Sequence, residues 1–229
     1  MSDPTIQRIS RQADELYAQR EPFQTVHEAV EVLLGWSGPT DYEIQWRLGR
    51  AYFFLGQEAA NRKNAFSFHL QGIKACSAAV HIHVQRVEAH FWLGVNLALA
   101  ARHEGSLMAI RHAWRAKREL QRAVLIDPSY HGAGPLRVLA RLQHKTPRWL
   151  GGGTAAARRN YEAAISLAPE NTVTRIYFAE LLLELGERDL ARAQLEFVLT
   201  VPDDPEWAFE IDRDRRAARE MLREMMNAE

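Results

Sequence analysis

The chain has 229 residues, 47% apolar and 25% charged, so it can bury a continuous core and is not a disordered tail. Its one cysteine, Cys76, has no disulfide partner, which suits a reducing compartment. No apolar run reaches the roughly 18 residues of a membrane-spanning helix, and Met1-Ser2-Asp3-Pro4 lacks the basic-then-apolar layout of a secretory signal. The expected location is the cytoplasm for the sequence as given, or the periplasm if a leader was trimmed.

The 29 bases balance the 29 acids, but not evenly along the chain. Residues 59–161 carry 16 bases against four acids (Glu88, Glu104, Glu119 and Asp127), while 1–58 and 162–229 have net charges of −4 and −8. A basic middle between acidic ends can steer an anionic partner or bring copies of the chain together as a homo-oligomer. A solvated charge pattern without a dedicated partner is the alternative.

Helix signals run the length of the chain. Asp3-Pro4, Glu21-Pro22 and Asp204-Pro205 place proline where a first helical turn tolerates its missing N–H. Residues 4–35 read as a leading hairpin with Ala13, Leu16, Val26, Val30 and Leu33 facing inward. Thr40 with Glu43 makes a capping-box pattern. Four tetratricopeptide-like repeats follow, over residues 40–83, 86–128, 131–169 and 172–202.

Their first helices carry a Leu/small or Phe/small pair: Leu48-Gly49, Leu93-Gly94, Leu139-Ala140 and Phe178-Ala179. Their second helices carry small and large residues at helical spacing before proline. The sets are Ala116, Leu120, Ala123 and Pro128; Ala157, Tyr161, Ala164 and Pro169; and Ala191, Leu195, Val198 and Pro202. Gly72, Cys76 and Ala79 form a weaker copy. Small residues let paired helices approach closely, and large ones fill the gaps between neighbours. The spacing between the two small positions shrinks along the chain, so the early hairpins are expected to have longer helices or inserts. Residues 205–228 read as a capping helix, with Met221, Leu222 and Met225 as its apolar stripe. The expected fold is all-α: one tetratricopeptide-like α-solenoid domain over residues 1–229, of about five hairpins plus the cap.

Trp46-Arg47-Leu48-Gly49-Arg50, Glu88-Ala89-His90-Phe91-Trp92 and residues 116–128 resemble the bacterial TRAP-transporter T-components and the eukaryotic regulator of microtubule dynamics proteins. Gly132-Ala133-Gly134-Pro135, Pro147 and residues 161–169 extend the resemblance over roughly residues 12–200. It implies an irregular tetratricopeptide fold without catalytic residues. For the T-components it further implies a periplasmic lipoprotein beside a solute-binding protein. The sequence as given opens without a lipoprotein signal, so the shared fold is expected more than the transport role.

Several constellations read as structural. Gly151-Gly152-Gly153-Thr154 lacks the Lys-Ser/Thr of a phosphate loop and reads as an inter-helix loop with Thr154 as N-cap. His81, His83 and His90 lack ligand spacing, so no metal or cofactor is expected. Cys76 reads as core. Arg111, Arg115, Arg118 and Arg122 share one helical face, read as solvated by default and as an anionic docking strip otherwise. The basic residues are not interleaved with a nucleic-acid reading motif, so nucleic acid is not an expected partner.

First helices line the concave side of such stacks. Groove-facing candidates are Trp46, Arg47, Arg50, Phe53, Phe91, Trp92, Arg137, Arg141, His144 and Tyr177. Aromatics beside arginines suit an interface hot spot. The competing expectation is that the long early helices cover this surface and make it core. Two functions follow: a non-catalytic scaffold taking a protein or peptide partner of acidic and apolar character, or a transport-accessory subunit holding a small, partly apolar carboxylate. No nucleophile–base pair or metal set supports an enzyme.

Overall fold

The computed structural model describes residues 3–20, 23–104, 107–205 and 207–227. Among them are eleven α-helices and no strand. Where the sequence reads as one domain, the internal contacts gather in two compact units, residues 1–127 and 128–229. Unit 1 holds α1 (Pro4–Ala18), α2 (Phe23–Leu34), α3 (Tyr42–Gln57), α4 (Arg62–Ile82), α5 (Val87–His103) and α6 (Leu107–Ile126). Unit 2 holds α7 (Tyr130–Lys145), α8 (Thr154–Leu167), α9 (Thr172–Glu184), α10 (Arg188–Thr200) and α11 (Ala208–Asn227).

Short polar side chains start several helices by accepting an otherwise unpaired backbone N–H. Asp3 accepts from Thr5 with Pro4 in the first turn, Asn61 from Asn64, and Asn171 from Thr174. Asp41, not Thr40, caps α3 by accepting from the Glu43 N–H. Pro128, Pro169 and Pro202 each stand two residues beyond a helix end, where they block continuation. The Glu21-Pro22 signal lies outside the described residues, and Pro205 precedes α11 without starting it. The wide repeat spacing of the early hairpins comes from helix length, since α4 and α6 have 21 and 20 residues against 13 in α10. In the third hairpin it comes from a loop. Gly151 is left-handed, a Cβ on Gly152 would strike the Thr146 carbonyl, and the Gly152 and Gly153 N–H groups donate to Pro147 and Gln143. Those donors are consumed within the chain, and Thr154 opens α8 without capping it, the cap position being Gly153.

Helix pairs meet at their small residues. A Cβ on Gly49 would fall 1.9 Å from Cys76 Sγ, and one on Gly94 would fall 2.7 Å from Leu120 Cγ. Cys76, Leu120, Ala157, Tyr161, Ala179, Ala191 and Leu195 are all fully buried. Burial pushes the Cys76 thiol pKa far up, so it stays protonated and inert. The apolar side of α11, with Ala218 and Met225 buried and Met221 and Leu222 packed alongside, closes the last hairpin.

One polar group is locked into the core of unit 1. Asn96 Nδ2 donates to the carbonyls of Gly49 and Trp92, each at 2.9 Å, which turns its Oδ1 toward His69 Nδ1 at 3.2 Å. His69 Nδ1 therefore carries the proton, and its buried Nε2 has no hydrogen-bond partner among the described residues. Gly56 and Gly72 leave the room these two side chains occupy. Burial, with help from His103 and Arg102, pulls the His69 pKa down to about 4 against the Asn96 hydrogen bond.

Two outcomes follow from this packing. Gly49→Ala gains about 1 kcal/mol of helix propensity but overpacks the Cys76 contact, which typically costs about 1–3 kcal/mol. Overpacking at so short a distance wins, so denaturant unfolding shows a net loss, and a Cys76→Ala background removes most of it through coupling at the shared contact. His69 binds a proton more readily unfolded than folded, so stability is full above pH 6.5 and is lost as pH falls toward 4. The loss is about 3 kcal/mol by the one-unit conversion. His69→Gln flattens that part of the stability–pH curve, measured by chemical denaturation from pH 7 to 4.

Candidate functional site

In unit 1 α3 lies against both α1 and α5, and the three present a ladder of ion pairs laid across aromatic rings. Arg47 reaches both Asp14 oxygens through two nitrogens and also donates to Glu43, while Arg50 donates to Asp14 Oδ1. Arg86 then bridges Glu43 and Glu88. Each guanidinium covers a ring: Arg47 over Trp46 at 4.3 Å, Arg50 over Tyr17 at 4.1 Å, and Arg86 over Tyr42 at 4.2 Å. Burial pushes the Glu43 carboxyl up, but hydrogen bonds from Trp46, Arg47 and Arg86 outweigh it and hold the pKa at about 2. Phe53, half-buried, packs on Trp92 at 5.2 Å.

Unit 2 shows a similar arrangement on α7 and α9. Arg141 forms a bidentate pair with Glu180 and lies 4.2 Å over Tyr177. Lys145 reaches Glu180 and Glu184, and His144 Nε2 meets Glu184 at 2.8 Å. Burial lowers the His144 pKa more than Glu184 raises it.

The ten groove candidates thus divide. Arg47, Arg50 and Phe53 lie on the unit 1 face with Trp46 as the buried floor beneath the guanidiniums, and Arg141, His144 and Tyr177 lie together in unit 2. Phe91 and Trp92 depart from the expectation, because both are fully buried where α5 packs on its neighbours. Arg137 departs too: it is buried and donates to the Gly132 carbonyl at 2.8 Å and to Asn171 Oδ1 at 3.2 Å.

The reason lies at the start of α7. His131, Gly132 and Ala133 take left-handed dihedrals in succession (φ 52, 61 and 57°), costing about 1–2 kcal/mol for each residue with a Cβ. Arg137 and Asn171 grip this turn, and the Trp207 ring lies 4.7 Å from His131. Burial, partly offset by Tyr177, Asp214 and Glu210, pulls the Arg137 pKa down to about 10, still charged at neutral pH. Beside the turn lies a cavity of about 440 Å³, rimmed by Glu170, Asp203, Asp204 and Trp207.

Spacing rules cannot find the pairing of Asp14 with Arg47 and Arg50, of Tyr17 with Arg50, or of Arg86 with Glu43, because these partners lie far apart in the chain. Among the described residues no group of three or more His, Cys, Asp or Glu is placed to hold a metal. His90 is instead tied to Glu119 and the Val84 carbonyl. Nor is any described helix long and apolar enough to cross a membrane.

The chain is a tetratricopeptide-type α-solenoid protein, of the class that serves as protein-interaction scaffolds. A tetratricopeptide repeat model matches residues 152–208. A thermophilic tetratricopeptide protein of Thermus thermophilus superposes with a TM-score of 0.68 at 19% identity, over 91% of this chain and 98% of that one. MamA superposes with a TM-score of 0.52 at 17% identity, over 87% and 95%. The chain belongs to the regulator of microtubule dynamics protein 1-3 family, whose model matches residues 9–134, more than half its length. The rat and mouse regulator of microtubule dynamics protein 3 are each 24% identical, over 218 and 219 residues. The alignments cover 86% of this chain and 45% of each relative, so the chain spans less than half the length of these curated relatives.

The two kinds of arginine are separable by experiment. Arg137→Met strands the Gly132 carbonyl at a strained turn and takes one donor from Asn171 Oδ1, which keeps those of Thr174; charge-assisted hydrogen bonds are worth roughly 1.5–3 kcal/mol each. Thermal and denaturant unfolding are expected to show a loss of at least about 2 kcal/mol. Arg141→Met removes a part-exposed pair, for which a loss below about 1 kcal/mol is expected.

Proposed function

We propose that this chain is a non-catalytic scaffold that holds a protein or peptide partner on the α1/α3/α5 face of unit 1. The observation that carries the reading is the sharing of Asp14. This one carboxylate, 39% exposed, neutralises two arginines that are themselves fixed on aromatic rings. A partner carboxylate can replace or join Asp14 without moving either guanidinium, so little ordering is needed on binding. Phe53 and Tyr17 add apolar surface beside the charges, which suits a segment of acidic and apolar character. The relatives bear the name of regulators of microtubule dynamics, and a scaffold can regulate by binding other proteins.

A subunit holding a small carboxylate has less support. The cavity in unit 2 is rimmed by three acids, which repel such a ligand.

The sign of two substitutions tests the proposal on a partner captured by the full chain and titrated by calorimetry. Asp14→Asn removes the internal competitor and is expected to tighten binding, by up to about tenfold for one exchanged charge-assisted bond. Arg50→Gln is expected to weaken it by a similar factor while leaving helicity intact. Binding unchanged in both variants places the partner elsewhere.

A further inference from the structure

The outward side of α6 is an apolar spine flanked by bases. Leu107, Trp114 and Leu125 are 81%, 49% and 77% exposed, and their spacing sets them in one line along the helix. Arg111 and Arg118 fall between them on the same line, with Arg115 and Arg122 on its flank. Three of these arginines reach neutral groups: Arg111 the Met108 sulfur, Arg115 the Ser77 hydroxyl and Arg122 the Gln85 amide. Arg118 touches Glu119, which is buried and already held by His90. The other acids nearby are engaged too, Glu104 by His112 and Glu88 by Arg86. The strip is therefore uncovered, and three of its four arginines reach only neutral groups.

The complementary strip occurs on the same chain. The outward side of α10 exposes Leu190 and Phe197 one heptad apart, with Asp189 and Glu196 beside them and the small Ala193 between. Both strips follow the same three-and-four residue rhythm, which lets two helices interdigitate at a shallow angle. Bases on one meet acids on the other, and apolar residues on both lose water. Two exposed acids beside exposed apolar residues are thus supplied by every other copy in solution.

We propose that the outward face of α6 docks the outward face of α10 from a second copy of this chain. The partner-binding face of unit 1 is a separate surface, so either assignment survives failure of the other. A helix-on-helix contact is small, and such contacts are weak. Association is therefore expected at high protein concentration and at low salt, since screening shortens the reach of exposed charges to about 3 Å at 1 M ionic strength.

Sedimentation equilibrium on the full chain tests this. At low salt the weight-average mass rises with concentration above the monomer value of 26.2 kDa, and at high salt it returns toward it. Arg111→Glu with Arg118→Glu makes one variant, and Asp189→Lys with Glu196→Lys the other. All four residues are exposed, so circular dichroism is expected to show both folded. Each variant alone sediments as a monomer, because like charges then face each other. An equal mixture regains the wild-type mass, because each restores the other's missing sign. A wild-type chain that stays at monomer mass at low salt overturns the proposal. So does a mixture that stays monomeric, or a variant that associates on its own as the wild type does.

Discussion

Close approach of paired helices at small residues is the constraint on which the rest of this structure depends. Gly49 against Cys76 and Gly94 against Leu120 leave no room for another carbon, and Ala157, Ala179 and Ala191 hold the same role in unit 2. Helices this close leave gaps along their flanks, and large side chains such as Trp92, Tyr161 and Phe178 fill them. A single hairpin cannot bury both its faces, so each depends on the next, and α11 closes the last one. Asn96 adds direction to this packing by taking two backbone carbonyls on two helices. A buried amide in another register would leave those acceptors empty, which costs more than the bond gains.

The same packing explains where charge resides. First helices need large aromatics to fill the stack, and arginines above them keep their charge near water while their planes cover the rings. Their carboxylate partners stay within the chain, so these faces are neutralised rather than left as cationic grooves. Part-exposed pairs of this kind contribute little to stability, on the order of 1 kcal/mol. They can therefore be exchanged for a partner's groups at small cost to the fold. Arg137 belongs to the opposite case, since it is buried and holds a strained backbone in place.

Helix content, the hairpin order, the small-residue contacts and the capping helix were legible along the chain, because each follows from neighbours within a few turns. Cys76 and the glycine loop were legible for the same reason, one by its slot in the repeat and the other by what it lacked. The face of each arginine on its own helix was legible as well. What faced that side chain from another helix was not. Asp14 lies 33 residues from Arg47 and Glu180 lies 39 from Arg141, and no local period records such pairings. The burial of Phe91, Trp92 and Arg137 likewise depended on how neighbouring helices and the left-handed turn closed over them. Local spacing determines which side of a helix a residue occupies, and only the packing of other helices decides whether that side meets water, a counter-charge or the core.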